Sequence, residues 1–102
     1  MEQAEIRNMA LRIVDHYGTE HQKKKSIEEL SELITELARE QDGRTDVWTI
    51  CAEIADAFIV LEQLRIIYGA NKVDTMVHFK LGRTMGEIAK EIMQQTTEEG
   101  TP

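Results

Sequence analysis

Apolar residues recur every three or four positions over four long segments of this chain, which is the pattern of amphipathic helices. Breaks occur at Gly18, in the loop 41–44 and at Gly69. The predicted helices are Gln3–Tyr17, Glu20–Gln41, Asp46–Tyr68 and Asn71–Met93. Because the connections are short, neighbouring helices are expected to pack antiparallel, so the predicted fold is an all-α four-helix bundle.

Local signals refine the predicted helix ends. Ser26 followed by Glu29 has the spacing of a capping box, so the main part of the second helix is expected to begin at Ser26. Asp46 is expected to cap the third helix or to lie in its first turn. Gly82 and Gly86 lower the helix propensity of the fourth segment. The apolar stripe of the second helix consists of Ile27, Leu30, Ile34, Leu37 and Ala38.

The third helix is apolar on every side. Between positions 47 and 61 the only polar residues are Thr49, Glu53 and Asp56. A helix of this kind is expected to be buried all round, and it is too short and too acidic to span a membrane. One small four-helix layer would not cover it, which predicts a dimer or tetramer. Glu53 and Asp56 are therefore expected to be at least partly buried.

Two pairs of acids carry the candidate chemistry. Glu53 and Asp56 are three residues apart, as are Glu29 and Glu32 on the second helix, so each pair occupies one helix face. Adjacent antiparallel helices would bring the two pairs together, and four carboxylates suit Mg²⁺, with Mn²⁺ as a substitute. No Glu is followed three residues later by His, which disfavours a di-iron site.

Other interpretations of the same acids stay open. Glu29 and Glu32 alone would also suit a solvated helix face, as is expected for Glu28 and Glu36. Glu53 and Asp56 would also suit structural ion pairs with Lys or Arg. The cluster Lys23–Lys25 is interpreted first as a solvated face. The aromatics Trp48, Phe58 and Phe79 and the methionines Met9, Met76, Met85 and Met93 are expected mainly in the core, with base stacking as the alternative for the aromatics.

Composition adds further limits. The 102 residues suffice for one domain, predicted over 1–95, with a flexible polar tail over 96–102. The net charge of −7 argues against a general nucleic-acid binder. Cys51 is the only cysteine and lies in an apolar run, so a buried reduced thiol is expected, with a reactive nucleophile as the alternative. The charged N-terminus has no apolar signal segment, so the protein is expected in the cytoplasm, without a membrane partner.

The spacing of the acids resembles the signature of MazG-like all-α nucleotide pyrophosphohydrolases, in particular their short, phage-type members. Glu29-x-x-Glu32 is followed after twenty residues by Glu53-x-x-Asp56. The segment 28–33 is similar to the family's EE-x-x-EL block, and 53–57 is similar to its E-[IL]-A-D block. The segment 17–22 resembles the lead-in, and Val77-x-x-Lys80-x-x-Arg83 resembles the basic motif of the last helix. The likeness covers positions 3–92, with Gly82 as a departure.

The resemblance implies hydrolysis of a nucleoside triphosphate between its α and β phosphates, giving a monophosphate and pyrophosphate, in a homodimer or homotetramer. It implies Mg²⁺ binding by Glu29, Glu32, Glu53 and Asp56. Glu29 or Glu32 would also orient the attacking water. Lys80 and Arg83 would hold phosphate oxygens, with help from Lys25. The alternative is a non-catalytic helical oligomer, an interaction or nucleotide-binding module whose acids are structural.

Overall fold

The computed structural model describes residues 1–99, with the side chains of residues 1–97. Over this range the only regular elements are four helices and there is no strand, which confirms the all-α prediction. The helices are α1 (Gln3–Tyr17), α2 (Thr19–Gln41), α3 (Val47–Tyr68) and α4 (Ala70–Glu99). The predicted bounds of α1, α2 and α3 are confirmed to within one residue, whereas α4 extends well beyond Met93.

The breaks between helices follow from local chemistry. Gly18 and Gly69 have φ angles of 92° and 116°, a region that side chains with a Cβ rarely adopt. The carboxylate of Asp46 accepts a hydrogen bond from the backbone N of Thr49 at 2.9 Å, which confirms Asp46 as the cap of α3. These three residues separate the helices without any proline.

The predicted helix start at Ser26 is wrong. α2 is continuous from Thr19, and the Ser26 hydroxyl donates to the Gln22 carbonyl oxygen at 2.7 Å, one turn earlier. A serine inside a helix commonly bonds back in this way. The residues between Thr19 and Ser26 include no helix breaker, so the helix passes through the apparent capping box.

Residues 1–69 form one compact unit in which α3 packs against both α1 and α2. Gln22 bonds to Gln63 near one end of the α2–α3 contact, and Glu36 bonds to Thr45 near the other. These two pairs show that α2 and α3 run antiparallel, as predicted. The apolar core is small and consists of Ala10, Val14, Ile50, Ala57 and Val60.

The face of α2 that packs inward is polar. Its buried residues are Gln22, Ser26 and Glu36. In contrast, Ile27 and Ile34 of the predicted apolar stripe are 68% and 67% exposed in the single chain. The expectation of a solvent-facing Glu36 is therefore wrong: its carboxylate accepts hydrogen bonds from Arg39 at 2.8 Å and Thr45 at 2.6 Å.

Burial of α3 on all sides is not found within one chain. Cys51, expected to be buried, is exposed, and so is Trp48, which was expected mainly in the core. Phe79 of α4 is exposed as well, as are the four methionines expected near core positions. The exposed large hydrophobic residues of α3 are Val47, Trp48, Ile54, Phe58, Ile59, Leu61 and Tyr68.

The second unit begins at Ala70 and is the single helix α4. It passes through Gly82 and Gly86 without interruption. The predicted tail over 96–102 is helical as far as Glu99, and its last residues, 100–102, lie outside the described range. No described helix combines the length and apolar character that crossing a membrane requires.

Candidate metal centre

Three of the four predicted metal ligands come together between α2 and α3. Glu29, Glu53 and Asp56 each offer one carboxylate oxygen, and these oxygens all lie within 4.8 Å of one another. Glu53 and Asp56 are separated by nearly one helical turn, and the antiparallel α2 brings Glu29 against them. The predicted convergence of two acidic pairs is thus found for three of its residues.

Burial makes this cluster costly in the absence of a positive partner. The Oε2 atoms of Glu29 and Glu53 are buried and accept no hydrogen bond from any described residue. Glu29 and Glu53 are half-buried, whereas Asp56, expected to be at least partly buried, is exposed. An unpaired buried carboxylate oxygen is unfavourable, and a divalent cation with oxygen ligands would compensate it. The residues present therefore fit a hard divalent ion.

Glu32 lies at the margin of this cluster. It is exposed and is not among the three carboxylates that converge. The negative charge of Glu29 raises the pKa of Glu32, and desolvation and a hydrogen bond with Glu29 add to this effect. Glu32 is thus close enough for the charge of the cluster to act on it.

Lys25 lies on the other side of Glu29. Its Nζ atom is 3.2 Å from Glu29 Oε1 and 3.7 Å from Glu28 Oε1. The hydrogen bond to Glu29 raises the pKa of Lys25, and the charge of Glu28 adds to it. One oxygen of Glu29 is therefore paired with a cation of this chain, while the other is buried and has no partner among the described residues.

A cavity of about 500 Å³ adjoins the acids. Glu29, Asp56 and Lys25 border it, as do the buried amides Gln22 and Gln63. This volume falls within the usual range for small-molecule sites. A larger cavity of about 710 Å³ is bordered by residues of α1 and by none of the four predicted ligands, so the smaller cavity is the one associated with the acidic cluster.

The two amides were missed by the sequence analysis. Gln22 and Gln63 are 4% and 2% exposed, and the Gln22 Nε2 atom donates to Gln63 Oε1 at 2.7 Å. A glutamine within a helix has no distinctive sequence signal. Their pairing depends on the register of α2 against α3, which no local pattern reveals.

The two predicted phosphate ligands of the last helix lie in the other unit. Lys80 and Arg83 are three residues apart on α4, and both are exposed. The Arg83 Nε atom is 3.4 Å from Glu87 Oε1, an ion pair of two largely exposed side chains. Their role in phosphate binding stays a prediction.

Comparisons with protein-family models, with curated proteins and with solved structures found no match to this chain. The resemblance carried by the two acidic motifs therefore stays a prediction. The structure shows only the arrangement of the acidic residues themselves: three carboxylates of those motifs lie close together beside a cavity.

Proposed function

We propose that this chain is a magnesium-dependent nucleoside triphosphate pyrophosphohydrolase with a MazG-like four-helix fold. The observation that carries the proposal is the convergence of Glu29, Glu53 and Asp56, with two buried carboxylate oxygens that have no partner among the described residues. Such a cluster favours a hard cation. The resemblance supplies the reaction, which is cleavage between the α and β phosphates.

Glu29, Glu53 and Asp56 would hold Mg²⁺, with Glu32 turning inward to complete the set. When bound, the ion neutralises phosphate charge and lowers the pKa of the attacking water, and Mn²⁺ is expected to substitute. The carboxylate of Glu32 or Glu29 orients that water and accepts its proton. The water oxygen bonds to phosphorus as the bridging P–O bond breaks, so a nucleoside monophosphate and pyrophosphate are formed.

Basic side chains are proposed to hold the phosphates. Lys25 borders the cavity beside Glu29. A triphosphate competing for Lys25 would release the Glu29 oxygen that Lys25 now engages. Lys80 and Arg83 of α4 are proposed as further phosphate ligands, because ammonium and guanidinium groups both bind phosphate oxygens well.

Assembly into a homodimer or homotetramer in the cytoplasm is part of the proposal. Ile27 and Ile34 on α2 and Phe58 on α3 are more than half exposed in the single chain. Large apolar residues gathered on helix faces mark an interaction surface more often than a solvated one. A second copy of the chain is the proposed partner for these faces.

The second candidate is a non-catalytic helical oligomer, and one contact favours it. The 3.2 Å ion pair between Lys25 and Glu29 neutralises part of the acidic cluster from within the chain. In that case the acids are structural, and divalent ions add no stability. The enzyme proposal requires the opposite, since an ion that binds only the folded state must stabilise it.

Pyrophosphate release from a panel of canonical and modified nucleoside triphosphates tests the proposal. Wild type, Glu53→Gln and the control Glu40→Gln are compared with Mg²⁺ and with chelator; Glu40 is an exposed acid of the same helix as Glu29. Release that requires Mg²⁺, persists in the control and is lost in Glu53→Gln is the expected result. Absence of release from every nucleotide would refute the enzymatic proposal in favour of the binding module.

A further inference from the structure

The contact between α2 and α3 contains two polar layers with matched spacing. Gln22 faces Gln63 in one layer, and Glu29 lies beside Asp56 in the other. The layers are seven residues apart on both helices, which corresponds to about 10 Å at the helical rise per residue. The cavity of about 500 Å³ borders both layers, so it has an amide end and a carboxylate end.

The amide layer is a directed chain of hydrogen bonds. His21 Nδ1 lies 2.7 Å from Gln22 Oε1, and because an amide oxygen only accepts, the imidazole donates. Gln22 Nε2 in turn donates to Gln63 Oε1 at 2.7 Å. The chain therefore leads to the amide of Gln63, a residue that borders the cavity.

This terminal amide is buried but borders the cavity. Gln63 is 2% exposed, and its position in the helix contact would suit an apolar residue equally well for packing. Because the Gln63 oxygen already accepts from Gln22, its Nε2 group is the part of the amide that can donate to a ligand in the cavity. Two aromatic residues also border the cavity: the rings of Tyr17 and His21 stack with centroids 5.2 Å apart and planes 19° apart.

We propose that this cavity holds the nucleobase and sugar of the substrate, and that Gln63 donates to the keto oxygen at C6 of a purine base or C4 of a pyrimidine base. The inference rests on the proposed function, because it places the phosphates at the carboxylate end. The separation of about 10 Å between the two layers is comparable to the length of a nucleoside 5′-phosphate. A keto oxygen has two lone pairs that accept hydrogen bonds from the Gln63 amide. The exocyclic amino group of adenine or cytosine is itself a donor, so it cannot accept these bonds.

The preferred substrates are accordingly nucleotides of keto bases, that is, of the guanine, hypoxanthine, uracil or thymine type. A site that hydrogen-bonds a substrate group rejects analogues that lack it far more strongly than an apolar pocket rejects a small size change. Deletion of the keto oxygen is therefore the decisive change in the ligand. Tyr17 and His21 would provide the stacking surface beside that hydrogen bond.

Nucleosides without phosphates test this inference independently of catalysis. Uridine and inosine are compared with pyrimidin-2-one riboside and purine riboside, which lack the keto oxygen at pyrimidine C4 or purine C6. Cytidine and adenosine, which carry an amino group at that position, are tested as well. Binding is followed in chelator by NMR, through the backbone amide resonances of residues that border the cavity and, in the wild type, through the side-chain amides of Gln22 and Gln63. At least one keto nucleoside is expected to shift the Gln63 amide and to bind about tenfold or more tightly than its deleted analogue.

Protein variants provide the matched test. Gln63→Leu leaves Gln22 without its acceptor and is expected to be less stable, so the double variant Gln22→Leu/Gln63→Leu is used as well. Replacing both partners of a buried hydrogen bond by apolar groups of similar shape is often nearly neutral for stability. The double variant is expected to fold and to lose the preference for keto bases. The exposed Gln41→Leu serves as the control and should retain it.

The outcomes separate this inference from the proposed function. If triphosphates are hydrolysed but no nucleoside perturbs the cavity, or if deletion of the keto oxygen has no effect, the nucleobase site is refuted alone. Equal binding of amino and keto nucleosides would also overturn it. If keto nucleosides bind as described but no pyrophosphate is released with Mg²⁺, the nucleobase site stands and the proposed hydrolysis fails.

Discussion

Replacing Glu53 by glutamine is expected to stabilise the chain in chelator and to remove most of its stabilisation by Mg²⁺. Gln preserves the shape of the side chain and eliminates one negative charge. In the wild type, Glu53 is one of three carboxylates that each offer an oxygen within 4.8 Å of the others. Its Oε2 atom is buried and has no partner within residues 1–97. The same substitution thus relieves repulsion without the ion and removes a ligand with it.

The magnitude follows from the geometry. Two unit charges 4.8 Å apart repel by about 0.9 kcal/mol in bulk water and by about 3.5 kcal/mol at an effective dielectric constant of 20. Because Asp56 is exposed and Lys25 offsets part of the charge of Glu29, the gain in chelator is expected near the lower figure, about 1 kcal/mol. In a domain of this size, that corresponds to a rise in Tm of roughly 4–8 °C.

Mg²⁺ is expected to reverse the order. An ion at one hundred times its Kd stabilises the wild type by about 2.7 kcal/mol, which exceeds the gain of the variant in chelator. Thermal unfolding of wild type, Glu53→Gln and the control Glu40→Gln, followed by circular dichroism with chelator and with rising Mg²⁺, would reveal the crossover. A wild type whose Tm does not respond to Mg²⁺, together with a Glu53→Gln variant less stable than wild type in chelator, would refute the reasoning.

Four further predictions concern the rest of the chain. Ile34→Glu places a charge on the exposed apolar stripe of α2 and should convert the oligomer to a monomer in light scattering; an unchanged mass would exclude this stripe from the interface. Glu36→Gln weakens the charge-assisted bonds that hold the loop residue Thr45, and urea unfolding should show a loss of about 1–3 kcal/mol, whereas no loss would contradict their role. Gly82→Ala should raise the free energy of unfolding by about 0.5–1 kcal/mol, since an added Cβ has no neighbour within 4 Å. A loss of stability would instead show that another helix must approach Gly82 closely. Cys51 borders an apolar groove between α1 and α3 and should react rapidly with a thiol reagent in the monomeric Ile34→Glu variant; slow labelling there would contradict its exposure.

The four helices were predictable because their signals are local. Glycines at positive φ and the Asp46 cap mark three of the helix ends, and both depend only on neighbouring residues. The prediction that the second helix begins at Ser26 was wrong because it, too, used only a local signal. Its capping-box spacing occurs equally well inside a helix, where the hydroxyl bonds back to the Gln22 carbonyl oxygen.

The candidate site was predictable only in part. Carboxylates three residues apart on two helices were enough to find Glu29, Glu53 and Asp56, because helical spacing places such pairs on one face. The position of Glu32 at the margin depends on side-chain packing that spacing does not specify. The Gln22–Gln63 layer depends on the register between helices, so it emerges only when α2 is seen against α3.

The orientation of α2 is the largest difference between the fold predicted from the sequence and the observed structure. The periodicity of apolar residues shows that one face of a helix must be buried, but it does not show whether the same chain or a second copy buries it. Within the single chain, α2 turns the polar line of Gln22, Glu29 and Glu36 toward its neighbours and leaves Ile27 and Ile34 exposed. That choice is unfavourable for an isolated domain, because polar groups displace apolar ones from a core that is already small. This orientation of α2 is explained if its inward polar residues form a binding site and a second copy of the chain buries its exposed apolar stripe. One face of α2 would then border the cavity, and the opposite face would contact the second copy. The apolar residues of α2 therefore indicate the interface between copies, and its polar residues indicate the binding site.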